Sequence, residues 1–351
     1  MDLLPITEKD RVVLVTGAGA SINEMSRHGY IVPPTDQNFL EIAEKCHAGH
    51  FRKLRKSFNE VWAGCPPYPM KQQRMEQLFA SAYLQVQQTK GSSIEGMAAV
   101  ELYDQLIVLL RDTLSTTTNL GVPQEHVDLI AKIKARSPEK FSMVTFNYDL
   151  LADRALRELD RDGKLIWSHR DGYGFKPANE WLPNPRSDTK LYKLHGSLNW
   201  YIEAPSKRRE AAFNPSAPIH VPKPGPSKTA PTWQRRQRVL GHTSKKAFPL
   251  MIPPIFDKGV QIQGKIGAVW REAQADLENA TIVIVWGYSL PVTDYHADYL
   301  FARAARRAGF RLIAINPDPT ALSRVTYVCG HKWSRWFFRV GHFFRWMDGR
   351  K

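Results

Sequence analysis

The sequence predicts an α/β fold: a parallel sheet with a helical insertion after its first strand and a later irregular insertion rich in proline and basic residues. Three observations predict it. Short β-branched apolar runs of strand length recur along the chain, each ending in small or polar residues. Between the first and second of these runs, apolar residues fall at helical spacing. Between residues 203 and 247, seven prolines from Pro205 to Pro231 and clustered basic residues (Lys207, Arg208, Arg209, Arg235, Arg236, Arg238) break any regular period.

Size and composition bound the answer. At 351 residues the chain exceeds one average domain and falls short of three. A chain of that length buries roughly three quarters of its unfolded surface, so it needs no covalent staples. Hydrophobic residues at 43% against charged residues at 24% exclude wholesale disorder. Three cysteines, Cys46, Cys65 and Cys329, exclude a disulfide scaffold and point to a reducing, cytoplasmic setting. The N-terminal residues lack a basic stretch followed by an apolar one, so no secretory leader is expected. No apolar run approaches membrane-spanning length, so no membrane partner is expected. The formal charge of +15 attracts polyanions: nucleic acid, acidic partners or phosphate-bearing small molecules. It does not choose among them.

Arg11–Thr16 reads as a buried parallel strand closed by a tight turn at Gly17. Residues 36–137 then read as a helical insertion. Met75, Leu78, Phe79, Ala82, Tyr83 and Val86 share one helix face, and Ala99, Tyr103, Leu106, Ile107, Leu110 and Leu114 share another. Val127–Ala135 leads into a second strand, Phe141–Phe146, which ends in Asn147-Tyr148-Asp149. Thr281–Trp286 ends in Gly287-Tyr288-Ser289, and Arg311–Ile315 ends in Asn316-Pro317-Asp318-Pro319. Four strands thus deliver functional residue types to one edge of a sheet, where ligands of open parallel sheets bind. The main domain is expected over 1–35 and 138–330, with 203–247 as a solvated loop or a polyanion contact. In 331–351, basic residues interleave with aromatic ones, from Trp333 and Arg335 to Arg345 and Trp346. A final amphipathic helix packing its rings on the body is expected there, with base stacking as the alternative.

Gly17-Ala18-Gly19-Ala20-Ser21 follows the first strand directly. Glycines there let a backbone approach a pyrophosphate, and the amides opening the next helix can hold its charge. An ordinary strand-to-helix turn explains the same residues. The dehydrogenase pattern is broken: Ile22 stands where a third glycine belongs, and no acidic residue ends a second strand about 20 residues on. Hydride transfer is therefore disfavoured.

Five ordered motifs now coincide: GAGAS at 17–21, TFNYD at 145–149, LHGS at 194–197, GYSL at 287–290 and INPDP at 315–319. Together they resemble sirtuin-like proteins. The bacterial sirtuin-like domains of anti-phage defence systems resemble the chain more closely, through Asn199-Trp200, Ile252-Pro253-Pro254 and the run from Gly287 to Asp294. The resemblance implies a Rossmann-like sheet and NAD+ as substrate, cleaved between nicotinamide and ribose through an oxocarbenium-like state. Asn147 would hold ribose hydroxyls and a water. His195 would act as general base or fix a ribose hydroxyl, and Asp149 would orient a neighbour or stabilise positive charge. Gly17, Ala18, Gly19 and Ser21 would face the pyrophosphate. Gly287 and Ser289, with Asn316, would reach the adenosine side, and Asp294 would bind there or cap the next helix. Each has a plain alternative: Asn147 or Asp149 as a helix cap, His195 as a satisfied core histidine.

Departures shape the expected activity. The protein deacylases of the family carry paired zinc cysteines, yet from Ser197 to Gly287 there is none. Cys46, His47, His50 and Cys65 lack paired spacing, so no metal is expected. Phe146 replaces the deacylases' strand-end glutamine. Hydrolysis by water is favoured, giving nicotinamide and ADP-ribose, with the enzyme a toxic effector in bacterial defence. Such an enzyme would be restrained by self-assembly as a homo-oligomer or by a separately encoded sensor or ATPase, HerA-type or Argonaute-like. The alternatives are an NAD-dependent protein deacylase and a catalytically silent subunit that binds nucleotide or nucleic acid.

Overall fold

The four β-branched runs form strands: β1 (Val12–Thr16), β2 (Phe141–Thr145), β6 (Ile282–Trp286) and β7 (Arg311–Ile315). Nearly every residue in them is buried, which is why the runs are continuously apolar and not alternating. The computed structural model describes residues 6–62, 70, 73–89, 93–137, 141–178, 187–203, 217–222, 247–255, 258–259, 262–330 and 334–349. Cys65, Lys332, Trp333 and most of 203–247 lie outside them.

Two further strands complete the main sheet, β3 (Lys190–Lys193) and β8 (Ser334–Phe337). The order is β3-β2-β1-β6-β7-β8, parallel at every junction. Counted along the chain within this sheet, that is the doubly wound Rossmann order, 3-2-1-4-5-6. The chain reverses its direction of growth between β1 and β6. A second, two-stranded ribbon pairs β4 (Gly196–Glu203) antiparallel to β5 (Ala247–Met251).

Helices cover both faces. α1 (Ala18–Arg27), α6 (Gln124–Arg136), α7 (Leu151–Arg161), α8 (Gly264–Asn279), α9 (Tyr295–Ala304) and α10 (Pro319–Cys329) connect the strands. The expected insertion splits by packing. α2 (Phe39–Cys46), α3 (Ala48–Val61), α4 (Met75–Gln88) and α5 (Ile94–Thr117) bury Phe39, Leu54, Phe79 and Leu106 in a core of their own. That core closes on Tyr148, Leu198, Met251 and Ile255, against the strand ends. α6 instead buries Val127, Leu129, Ile130 and Ile133 in the sheet's core. Glu24 on α1 accepts hydrogen bonds from the Glu125 and His126 amides at 3.2 and 3.0 Å, satisfying donors that open α6.

The C-terminal segment departs from expectation. The sheet does not stop by residue 330, because Ser334–Phe337 pairs with Leu312–Ile315 as the sixth strand. Only Val340–Met347 is the amphipathic helix, α11, burying Val340, Phe343 and Met347. Phe337 and Phe343 are buried, one on each element, whereas Trp336 and Phe338 are exposed, so the expected packing of the rings is only partial. No described helix is long and apolar enough to cross a membrane.

Candidate active site

The turn after β1 and the turn after β6 interlock at the point where the sheet reverses. Gly17 caps α1 in extended conformation with no side chain to offer. Its amide donates to Trp286 O at 3.1 Å, and the Gly19 amide donates to Gly287 O at 2.8 Å. A Cβ on Gly17 would stand 2.6 Å from Tyr288 Cα, and one on Gly19 2.9 Å from Gly287 Cα. A Cβ on Gly287, whose φ is +62°, would stand 2.1 Å from the Ala20 nitrogen. From the sequence alone, the glycines allow a pyrophosphate to approach. The structure supplies a reason that needs no ligand: two backbones touch there.

The end of β2 faces this turn. Thr16 donates its hydroxyl to Thr145 Oγ1 at 2.8 Å, and the Asn147 amide nitrogen donates to the same oxygen at 3.1 Å. Asn147 Nδ2 donates to Gly17 O at 2.8 Å and Ser21 Oγ at 2.9 Å. Ser21 Oγ donates to Asp149 Oδ2 at 2.5 Å, and Asp149 Oδ1 accepts from the Leu151 amide at 3.0 Å. Gly17, Ser21, Asn147 and Asp149 therefore form one hydrogen-bonded chain. Asp149 takes the helix-end role that either residue was open to, and Asn147 does not. With both Nδ2 protons directed at protein, Asn147 keeps Oδ1 with no protein partner among the described residues.

His195 lies in an adjoining cluster. Its side chain is buried, with the Phe146 ring edge-on at 5.3 Å, Tyr148 at 6.0 Å and Trp270 at 6.4 Å between centroids. The ring hydrogen-bonds the Phe146 backbone, while Nε2 stands 3.4 Å from Asp294 Oδ2 without a hydrogen bond's alignment. Asp294 Oδ1 accepts from Lys258 Nζ at 2.9 Å and Oδ2 from Tyr288 Oη at 2.9 Å. Burial holds the imidazole below its ordinary pKa and Lys258 adds to this, with Asp294 opposing both. Burial alone would raise the Asp294 carboxyl. The neighbouring His195, with the charge and hydrogen bond of Lys258, outweighs it and keeps the group ionised far below the usual carboxylate range. Asp294 occupies the cap position of α9 yet makes no cap hydrogen bond; its carboxylate turns inward.

The two clusters meet through rings. Tyr288 stacks on Phe146, whose edge contacts His195, and Tyr288 flanks Gly17. The remaining candidates make no bond within these two clusters. Ala18 and Ser289 are exposed. Asn316 turns its Oδ1 to the Asp318 amide at 3.0 Å, closing a local turn, and its carbonyl accepts from Trp336 Nε1 at 2.7 Å. Among the described residues, no group of three or more His, Cys, Asp or Glu side chains could hold a metal ion.

Sequence reasoning missed the support behind the site. Lys193, on β3 two residues before His195, is fully buried. It donates to Asp153 Oδ2 at 2.8 Å and to the Asp149 carbonyl. Asp153 also accepts from Tyr173, Asn199 Nδ2 donates to Tyr173 Oη at 2.9 Å, and Ser197 Oγ donates to Asn199 Oδ1 at 2.6 Å. The network ties β3 and β4 to the turn carrying Asn147. A lysine set between Tyr192 and Leu194 was the available signal. Lys258 carried none, and Tyr288 stood out only as a member of the GYSL motif.

No family model matches this chain, and no curated protein matches it. Solved structures are matched at low identity. A sirtuin from work on substrate affinity is 16% identical, with 97% of this chain and 94% of that chain covered and a TM-score of 0.45. A Sir2 enzyme studied for mechanism and regulation is 16% identical over 91% of this chain and 86% of that chain, at TM-score 0.44. A Sir2 homologue in complex with NAD is 16% identical over 92% and 90%, at TM-score 0.40.

Proposed function

We propose that this chain binds NAD+ across the carboxyl ends of β1 and β6 and hydrolyses its nicotinamide–ribose bond. One observation carries the proposal: the hydrogen-bonded chain of Gly17, Ser21, Asn147 and Asp149 lies at the reversal point of a Rossmann-ordered sheet. Dinucleotides bind such sheets in that crevice. The sequence resemblance to sirtuin-like proteins rests on the same residues.

The chemistry asks for little covalent help. Water attacks the anomeric carbon as the carbon–nitrogen bond breaks. The bonding electrons pass to the pyridinium nitrogen, and nicotinamide leaves neutral, so no strong general acid is needed. The transition state is oxocarbenium-like. Asn147 Oδ1 accepts from a ribose hydroxyl or the attacking water, held in place because its Nδ2 is fixed on Gly17 and Ser21. His195, kept neutral by burial, receives the proton the water loses. Net charge of +15 favours a ligand bearing two phosphates. The same resemblance supports a role as a defence effector restrained by self-assembly or by a separately encoded ATPase or sensor.

The test is chromatographic analysis of NAD+ incubated with wild type and Asn147→Ala, with and without an acetylated peptide, alongside calorimetric NAD+ binding. Nicotinamide and ADP-ribose should form in equal amounts without peptide, and Asn147→Ala should abolish them. Peptide-dependent turnover would replace hydrolysis with deacylation. Absence of NAD+ binding, or full activity in Asn147→Ala, would overturn the proposal.

A further inference from the structure

Two buried ionised side chains face one imidazole, and the proposed reaction uses only the imidazole. The ring of His195 lies against the Phe146 backbone, and Nε2 makes no aligned hydrogen bond. In the neutral ring a proton on Nδ1 leaves the Nε2 lone pair aimed at an anionic oxygen 3.4 Å away. Two acceptors in a buried site repel unless a proton or a donor lies between them. Asp294 is itself immobilised from two sides by Lys258 and Tyr288, each at 2.9 Å.

We propose that Asp294 is the positioning residue of His195: a carboxylate, clamped by Lys258 and Tyr288, that sets the orientation of the imidazole and the protonation of Nε2. A ligand hydroxyl or water entering beside Nε2 meets both acceptors, and Asp294 stabilises the imidazolium once the proton has moved. Lys258 works in the opposite sense, because its charge disfavours a second cation in the same pocket. The charged and titratable groups around the ring come from five elements. Asp294 stands at the start of α9 and Lys258 ahead of α8. Tyr148 follows β2, and Tyr288, following β6, acts through Asp294. Glu76 at the start of α4 reaches the group at longer range, accepting the Thr293 hydroxyl at 3.1 Å. The base role of His195 rests on the proposed hydrolysis; the pairing with Asp294 does not.

The pairing is read directly by nuclear magnetic resonance titration of the full chain carrying isotope-labelled histidine, with the His195 signal assigned by its loss in His195→Gln. Asp294→Asn should lower the His195 midpoint by about 1–3 units, and Lys258→Met should raise it by a similar amount. Tyr288→Phe, which removes one clamp and no charge, should raise it by less, because the freed carboxylate turns toward the ring. Opposite shifts would not arise from general loosening of the fold. A midpoint unmoved by both Lys258→Met and Tyr288→Phe overturns the pairing, even if Asp294→Asn does not fold. If NAD+ is consumed, the acid limb of its pH profile should follow these shifts. Opposite titration shifts without any NAD+ loss would leave the pairing standing and remove only the proposed hydrolysis.

Discussion

Phe146 and Tyr288 lie ring on ring, with centroids 4.1 Å apart and planes 6° from parallel. The two residues follow strands β2 and β6, which are not neighbours in the sheet, and β1 with its glycine turn lies between them. The stack spans that gap and presents one edge to His195. Tyr288 is also the donor to Asp294.

Tyr288 therefore combines packing with a bond to an ionised group, and the two separate by substitution. Tyr288→Ala should cost about 3–5 kcal/mol through loss of a buried ring. Tyr288→Phe keeps the stack and should cost about 1.5–3 kcal/mol, the range for a hydrogen bond to a charged partner. Urea denaturation followed by fluorescence measures both, and equal costs would show that the stack contributes nothing.

The interlocked turns predict an ordered series of glycine substitutions. Gly287→Ala meets backbone at 2.1 Å and a φ of +62°, so it should cost more than about 4 kcal/mol or leave no folded protein. Gly19→Ala meets backbone at 2.9 Å without an unusual φ and should fall below that. Gly309→Ala has a φ of +76° and nothing within 4 Å, so only the left-handed conformation is penalised, by about 1–2 kcal/mol. Denaturation midpoints that rank Gly309→Ala as the most harmful would refute the close approach of the two turns.

Lys193 is fully buried against Asp153, so removing one partner strands the other. Lys193→Met should cost about 3–5 kcal/mol. Pairing it with Asp153→Asn should cost less than the two single changes summed, because the double variant buries no lone charge. A double-mutant cycle gives the coupling, and strict additivity would mean that the two charges do not interact.

His169 supplies a pH dependence. Burial pushes its pKa down to about 4. Above the ordinary histidine value near 6.5 both folded and unfolded chains carry it neutral, and stability is at its full value. As pH falls from about 6.5 to about 4, the unfolded chain takes up a proton that the folded chain refuses, so stability declines by at most about 3 kcal/mol; below that window this contribution is flat. His169→Gln should flatten the stability profile within that window. A variant profile parallel to wild type from pH 6.5 to 4 would contradict the burial effect.

The parallel sheet was legible in the sequence because strands covered on both faces must be apolar at successive positions, as Val12–Thr16 and Ile282–Trp286 are. The helical insertion was legible for the same kind of reason, through stripes such as Leu78, Phe79 and Ala82. Strand ends carrying Asn147 and Gly287 stood out because such residues need a turn. β3 escaped notice, since Lys193 disguises a buried strand until Asp153 and Tyr173 are brought to it from elsewhere in the chain. β8 escaped because basic residues between rings suit a helix face and an edge strand alike. Periodicity records which side of one element meets the core. It holds no information on which distant side chains share a pocket: it placed Asn147 at a strand end, while His195 stood out only through the LHGS motif. Folding joined Asn147 to Gly17 and Ser21, and enclosed His195 with Asp294, Lys258 and three rings, because charge, hydrogen bonding and burial act between residues that only the folded chain makes neighbours.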